Sequence, residues 1–198
     1  MKKITIHLKY IATCMVSLVV LVGLTGCESN ATGNEVDLTV FRDNERKFAF
    51  HYPKQWKIVE STYADTRFKI VSKNGRGPED CGVNVKFEKN ATGMSISDFV
   101  KNVSPAMSKE ILRVIKNKSQ DAEIMESGFT YLSNQNAYYH VIFSTQRTVD
   151  YVAKVAMYSV QTMKDGYIYT VACRCKQSDF KQQFPEFKNI MTGFILLN

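Results

Sequence analysis

Residues 36–198 are predicted to form a strand-rich α+β domain, an antiparallel sheet covered by a mid-chain helix and a C-terminal helix. Three observations lead there. Apolar and polar residues alternate through many short runs, the period of a half-buried strand. Between Ser97 and Lys118, and again from Phe180 to Phe194, apolar residues recur at three and four, which is the stripe of one helix face. Asp165-Gly166 lies between two alternating runs, the turn chemistry of a tight antiparallel hairpin.

The strands follow in order. Val36, Leu38 and Val40 alternate, then Phe48, Phe50 and Tyr52 with His51 on the opposite face, and Pro53 is expected to stop that pairing because it has no N–H to give. Stretches 56–59, 67–72 and 83–88 read as further strands, and Trp56 as a core anchor behind the turn. The loop Lys73-Asn74-Gly75-Arg76-Gly77-Pro78 separates the last two. Stretches 122–132, 137–145 and 151–163 are long alternating runs, and Asp165-Gly166 turns the last of them into 167–174, since a two-residue hairpin needs positive φ.

The mid-chain helix is carried by Phe99, Val100, Val103, Met107, Ile111, Leu112 and Ile115, with Ser97 as its expected N-cap and Pro105 expected to kink or divide it. The terminal helix is carried by Phe180, Phe184, Phe187, Ile190, Met191 and Phe194. Its regular part is expected to start at Pro185, where a missing N–H is harmless in the first turn.

Lys2, Lys3 and Lys9 precede an apolar run from Tyr10 to Val22, shorter than the roughly 20 residues of a spanning helix, and Leu24-Thr25-Gly26-Cys27 follows. Basic, apolar and small residues in that order make a cleavable signal. Leu-Thr-Gly-Cys resembles the bacterial lipobox, whose Cys receives diacylglycerol. Three segments are expected: a lipoprotein signal peptide over 1–26, lipidated Cys27 with a flexible polar tether over 27–35, and one domain over 36–198. The expected location is the cell membrane, lipid-anchored on its extracytoplasmic face.

The chain holds 26 Lys and Arg against 19 Asp and Glu, and the leader carries three of those cations away, so the mature charge is about +4. No basic run interleaved with aromatics marks a nucleic-acid surface, and that class of partner is set aside. The densest basic stretch, 109–118 with Arg113 and Lys116, reads as the solvated face of the helix.

With Cys14 in the leader and Cys27 lipidated, Cys81, Cys173 and Cys175 remain. Outside the cytoplasm one disulfide and one leftover thiol fit this count. Cys173 and Cys175 are two apart on a predicted strand and point along it to one face, so a bridge from Cys81 to either is expected over a bridge between the pair. A thiol–disulfide enzyme is the main catalytic alternative, because Cys173-Arg174-Cys175 sets a guanidinium beside two thiols. Arg174 is nevertheless expected on the other strand face. A metal-dependent enzyme would have to gather Glu79, Asp80 and Cys81 with distant His51 or His140. No nucleophile elbow, phosphate loop or dinucleotide loop occurs, and no catalytic residue, metal or cofactor is expected.

Phe48-Ala49-Phe50-His51-Tyr52-Pro53-Lys54-Gln55-Trp56, the late hairpin Asp165-Gly166-Tyr167-Ile168-Tyr169 and the closing Gly193-Phe194 together resemble the PsbP-like fold family, over nearly all of residues 36–198. The resemblance implies an α-β-α sandwich around a central antiparallel sheet, used chiefly as a non-enzymatic binding or assembly module. The expected function is a membrane-anchored binding or assembly lipoprotein of the cell envelope, with a protein or a cell-wall component as partner. The expected contact surfaces are the 73–78 loop with Arg76 and the helix face around Arg113 and Lys116.

Overall fold

The computed structural model describes residues 37–61, 65–72, 80–118, 121–147 and 152–198, all within one unit, Val36–Asn198. Its strands are β1 (Leu38–Asp43), β2 (Phe48–Pro53), β3 (Lys57–Ile58), β4 (Thr66–Val71), β5 (Asp80–Phe87), β6 (Glu123–Leu132), β7 (Gln135–Arg147), β8 (Val152–Lys164), β9 (Tyr167–Lys176) and β10 (Phe194–Leu196). Helix α1 (Ile96–Asp98) continues through a π-helical stretch, Phe99–Val103, into α2 (Ser104–Lys118), and α3 (Phe180–Thr192) follows a 3₁₀ turn.

All described pairings are antiparallel, and they form two sheets rather than one. The larger runs β3-β4-β5-β9-β8-β7-β6 and the smaller β1-β2-β10. Pro53 ends β2 as expected, pairing with Leu38 at the very end of the ladder, where one missing donor is tolerated. At the β8–β9 turn Asp165 and Gly166 both take positive φ, 52° and 81°, the geometry of a two-residue hairpin.

Strand alternation decides what each face of the large sheet touches. Tyr169, Val171, Cys173 and Cys175 point to one side and join the main core with Phe48, Phe50, Tyr52, Trp56, Phe187, Ile190 and Phe194. Ile168 and Met163 point to the other and join Phe99 and Val100 in a second core. The small sheet and α3 therefore cover one face, and the α1–α2 segment covers the other.

Two helix expectations are corrected and one is met. The N-cap is Ser95, whose hydroxyl accepts from the Asp98 N–H at 3.1 Å, not Ser97, which lies inside α1. Pro105 marks the place where the segment divides into a short first part and a longer second helix. It is the second residue of α2, and the chain widens into π turns just ahead, where the N–H that proline lacks would otherwise have closed onto the preceding turn. Helix α3 begins at Phe180 rather than at Pro185, because Phe180 and Phe184 are held in the helix by edge-on contacts with Phe143 and Tyr158, centroids 5.6 and 5.1 Å apart.

Phe194 is also reassigned, from the helix to β10. Gly193 turns the chain against β2, where the His51 N–H donates to the Gly193 carbonyl at 2.8 Å, and a Cβ at 193 would lie 2.1 Å from the His51 carbonyl oxygen. Only glycine permits that approach.

Candidate functional site

The candidate site is a groove of about 240 Å³ between the start of the helical segment and the last strand of the large sheet, lined by Ser97, Val100, Lys101, Phe129, Thr130, Tyr131, Asn136 and Ala137. Its position follows from local structure. Ser95 fixes where the helix enters, the π turn sets buried Val100 against the sheet, and Lys101 is left exposed at the rim. On β6, Ser127, Phe129 and Tyr131 pair with His140, Tyr138 and Asn136, so all three share the helix-covered face. The helix does not reach far enough to bury them. Phe129 is 68% and Tyr131 74% exposed, and Phe129 is steadied edge-on against Tyr138 at 5.9 Å. Two aromatic surfaces, a cation and the polar groups of Ser97 and Asn136 can grip a ligand by packing and hydrogen bonding.

Behind the groove, the same face of the sheet carries a buried polar cluster. Ser108 on α2 donates to the Ser104 carbonyl at 3.0 Å, which leaves its oxygen to accept from His140 Nδ1 at 2.8 Å. Burial pushes the His140 pKa down to about 4, and its ring is neutral at pH 7. His140 Nε2, Ser104 Oγ and both amide atoms of Gln161 are buried without a hydrogen-bond partner among the described residues. The cluster has no solvent-exposed member, so His140 has no route to a substrate in this conformation. His51 lies on β2 in the other sheet, and no group of three or more His, Cys, Asp or Glu able to hold a metal occurs among the described residues.

The predicted site residues fall elsewhere. Cys27 and Arg76 lie outside the described residues. Arg113 is exposed on α2 but tied to Glu110 through Nε at 2.8 Å and Nη2 at 2.5 Å, and Lys116 is exposed further along the same helix. Cys81 and Cys173 are directly opposite each other on β5 and β9 and are joined as a disulfide, while Cys175 is a buried thiol outside that bridge. All three are fully buried. Arg174 points to the opposite face, where Nε and Nη2 bind the buried Asp80 carboxylate at 2.8 and 2.5 Å, with Lys69 3.1 Å from the same carboxylate. The guanidinium is thus directed away from the thiols and cannot lower their pKa.

Sequence reasoning missed Phe129, Tyr131 and Lys101. One signal was present: both parities of 122–132 carry large apolar residues, Ile124 and Leu132 on one, Met125, Phe129 and Tyr131 on the other. A strand of that kind is either covered on both sides or leaves one set in water.

Among solved structures, the chain is similar to cyanobacterial PsbP (CyanoP) from Synechocystis sp. PCC 6803, with a TM-score of 0.62, 15% identity and coverage of 87% of this chain and 98% of that one. It is more distantly similar to LpqN of Mycobacterium tuberculosis, described as involved in cell envelope biogenesis, with a TM-score of 0.44, 11% identity and coverage of 84% and 88%. No curated protein sequence matches. The PsbP family model matches residues 36–196, which takes in both sheets and all three helices, and the chain belongs to the PsbP family.

Proposed function

We propose that this protein is a lipid-anchored binding or assembly module of the cell envelope, held by Cys27 at the extracytoplasmic face of the membrane and engaging a protein partner through the groove between α1 and β6. The observation that carries this reading is the pair Phe129 and Tyr131, large aromatics left in water beside a groove with a cation at its rim. Exposed apolar patches of this kind are characteristic of contact sites. The fold supports it, since PsbP-like domains are generally non-enzymatic. So does the chemistry at hand, because the thiols and His140 are buried away from any substrate.

The test is crosslinking in intact cells followed by recovery of the tagged full-length chain. The double variant Phe129→Ser, Tyr131→Ser is expected to lose the wild-type partner while keeping its membrane fraction and thermal unfolding curve. Undiminished partner recovery by the variant overturns the groove. Turnover by the purified protein in hydrolase or disulfide-exchange screens, lost on substitution of His140 or Cys175, overturns the non-catalytic reading.

A further inference from the structure

We propose that the outer edge of β6 receives an extended segment of the partner protein as an added strand, with acidic and apolar side chains laid along Lys101, Phe129 and Tyr131. The inference rests on the binding-module reading above and names the kind of partner that reading leaves open.

The two edges of the large sheet differ. At one end stands β3, only two residues long and bearing Lys57, a length that offers almost no ladder. At the other stands β6, ten residues long, paired with β7 on its inner side and with no strand on its outer side among the described residues. An edge of this length presents a row of backbone donors and acceptors, and sheets ordinarily guard such rows with Lys, Pro, bulges or cover. Glu123–Leu132 contains no Lys, Arg or Pro. Its guards lie at one end, the acids Glu123 and Glu126 and a register shift between Ile124 and Glu126, which leaves Ser127 to Leu132 regular and uncharged. An incoming strand can therefore lie along this stretch and bond to alternate residues, whose N–H and C=O groups face away from β7.

Side chains select what comes in. On the helix-covered face the new strand would lie beside Ser127, Phe129 and Tyr131, with exposed Lys101 at the rim of the same groove. Apolar residues would rest on the aromatics, and an acid would meet the lysine. On the opposite face Glu126 is already engaged, accepting from the Tyr139 hydroxyl at 2.6 Å. Charge also separates this occupant from a second copy of the chain. Helix α2 packs on β7, one strand in from the edge, and exposes Lys109 and Lys116, so a twin sharing the sheet would bring a like-charged helix to the same face. An extended segment carrying acids brings the opposite sign. Main-chain bonds then supply affinity and alternate side chains specificity, the division of labour in strand addition.

The test places a photoreactive phenylalanine analogue, one position at a time, at Phe129, Tyr131, Lys116 and Lys188 in the full-length chain, with irradiation of intact cells and mass-spectrometric mapping of the joined peptides. Phe129 and Tyr131 are expected to capture one contiguous partner segment at residues two apart, because neighbours across a ladder advance together in steps of two. Lys116 on α2 and Lys188 on α3 are expected to capture none of it. Capture only from Lys116 or Lys188 overturns strand addition and leaves the binding reading intact. Capture of scattered partner residues, of a second copy or of a non-protein component also overturns it. Silence at all four positions overturns the binding reading itself.

Discussion

His140 shows how one residue couples burial to pH. Its ring is fully buried, its neighbours in the sheet and on α2 are Ser108, Ser159 and Gln161, and none of them carries a charge to balance an imidazolium. Burial alone holds the pKa at about 4, against about 6.5 in an unfolded chain. Between those values the unfolded state binds more protons than the folded one, so stability rises with pH across the window and is lost as pH falls from about 6.5 to 4. The full loss is on the order of 3 kcal/mol. Urea titrations at pH 7 and pH 4 are expected to show this fall in the wild type and a much smaller one in His140→Gln. Equal losses in both proteins would place the acid sensitivity elsewhere.

At the scale of elements, the disulfide between Cys81 and Cys173 joins β5 to β9 across a sequence separation of 92 residues. A link that closes so long a loop removes much freedom from the unfolded chain, and its loss is expected to cost about 2–5 kcal/mol. Because both cysteines are buried, a reductant should act only as the strands open. Alkylation of the denatured, unreduced protein should therefore label Cys175 alone among the three, and the urea midpoint of Cys81→Ala should fall well below that of the wild type. Labelling of all three would refute the bridge. Elements whose signal is local were the ones legible in the sequence: the Asp165-Gly166 hairpin, the alternation of β6 to β9, and the amphipathic stripes of α2 and α3. What escaped was decided at a distance. Phe194 keeps step with Phe187, Ile190 and Met191 and reads as helix, yet backbone pairing with Phe50 across 144 residues makes it a strand. The split into two sheets escaped for the same reason, since β2 chooses β10 from the far end of the chain. The groove escaped because alternation reports which residues share a face but not where the covering helix ends.

For the whole molecule, the proposed anchor and the proposed docking groove would act together. Eight residues separate Cys27 from Val36, and the nine chain steps between them reach at most about 32 Å, so lipid on Cys27 would confine the domain to a thin layer above the membrane. Confinement raises the effective concentration of any partner in the same layer, which lets a contact as small as one added strand operate. Two acyl chains on one thiol would make the attachment lasting, each buried CH₂ contributing about 0.8 kcal/mol, whereas a single chain holds only marginally. Among the described residues no helix is long and apolar enough to cross a membrane. On the lipid-anchor reading, attachment is expected to depend on Cys27. Metabolic labelling with a fatty-acid probe should mark the wild type and not Cys27→Ser, and fractionation should find the variant either unprocessed or released from the membrane. Partner crosslinking from Tyr131 should weaken in the same variant although the domain is unchanged, because the groove remains while the local concentration is gone. Equal labelling of both proteins would end the lipid-anchor reading, and equal crosslinking despite release would show that the groove binds tightly enough to need no membrane.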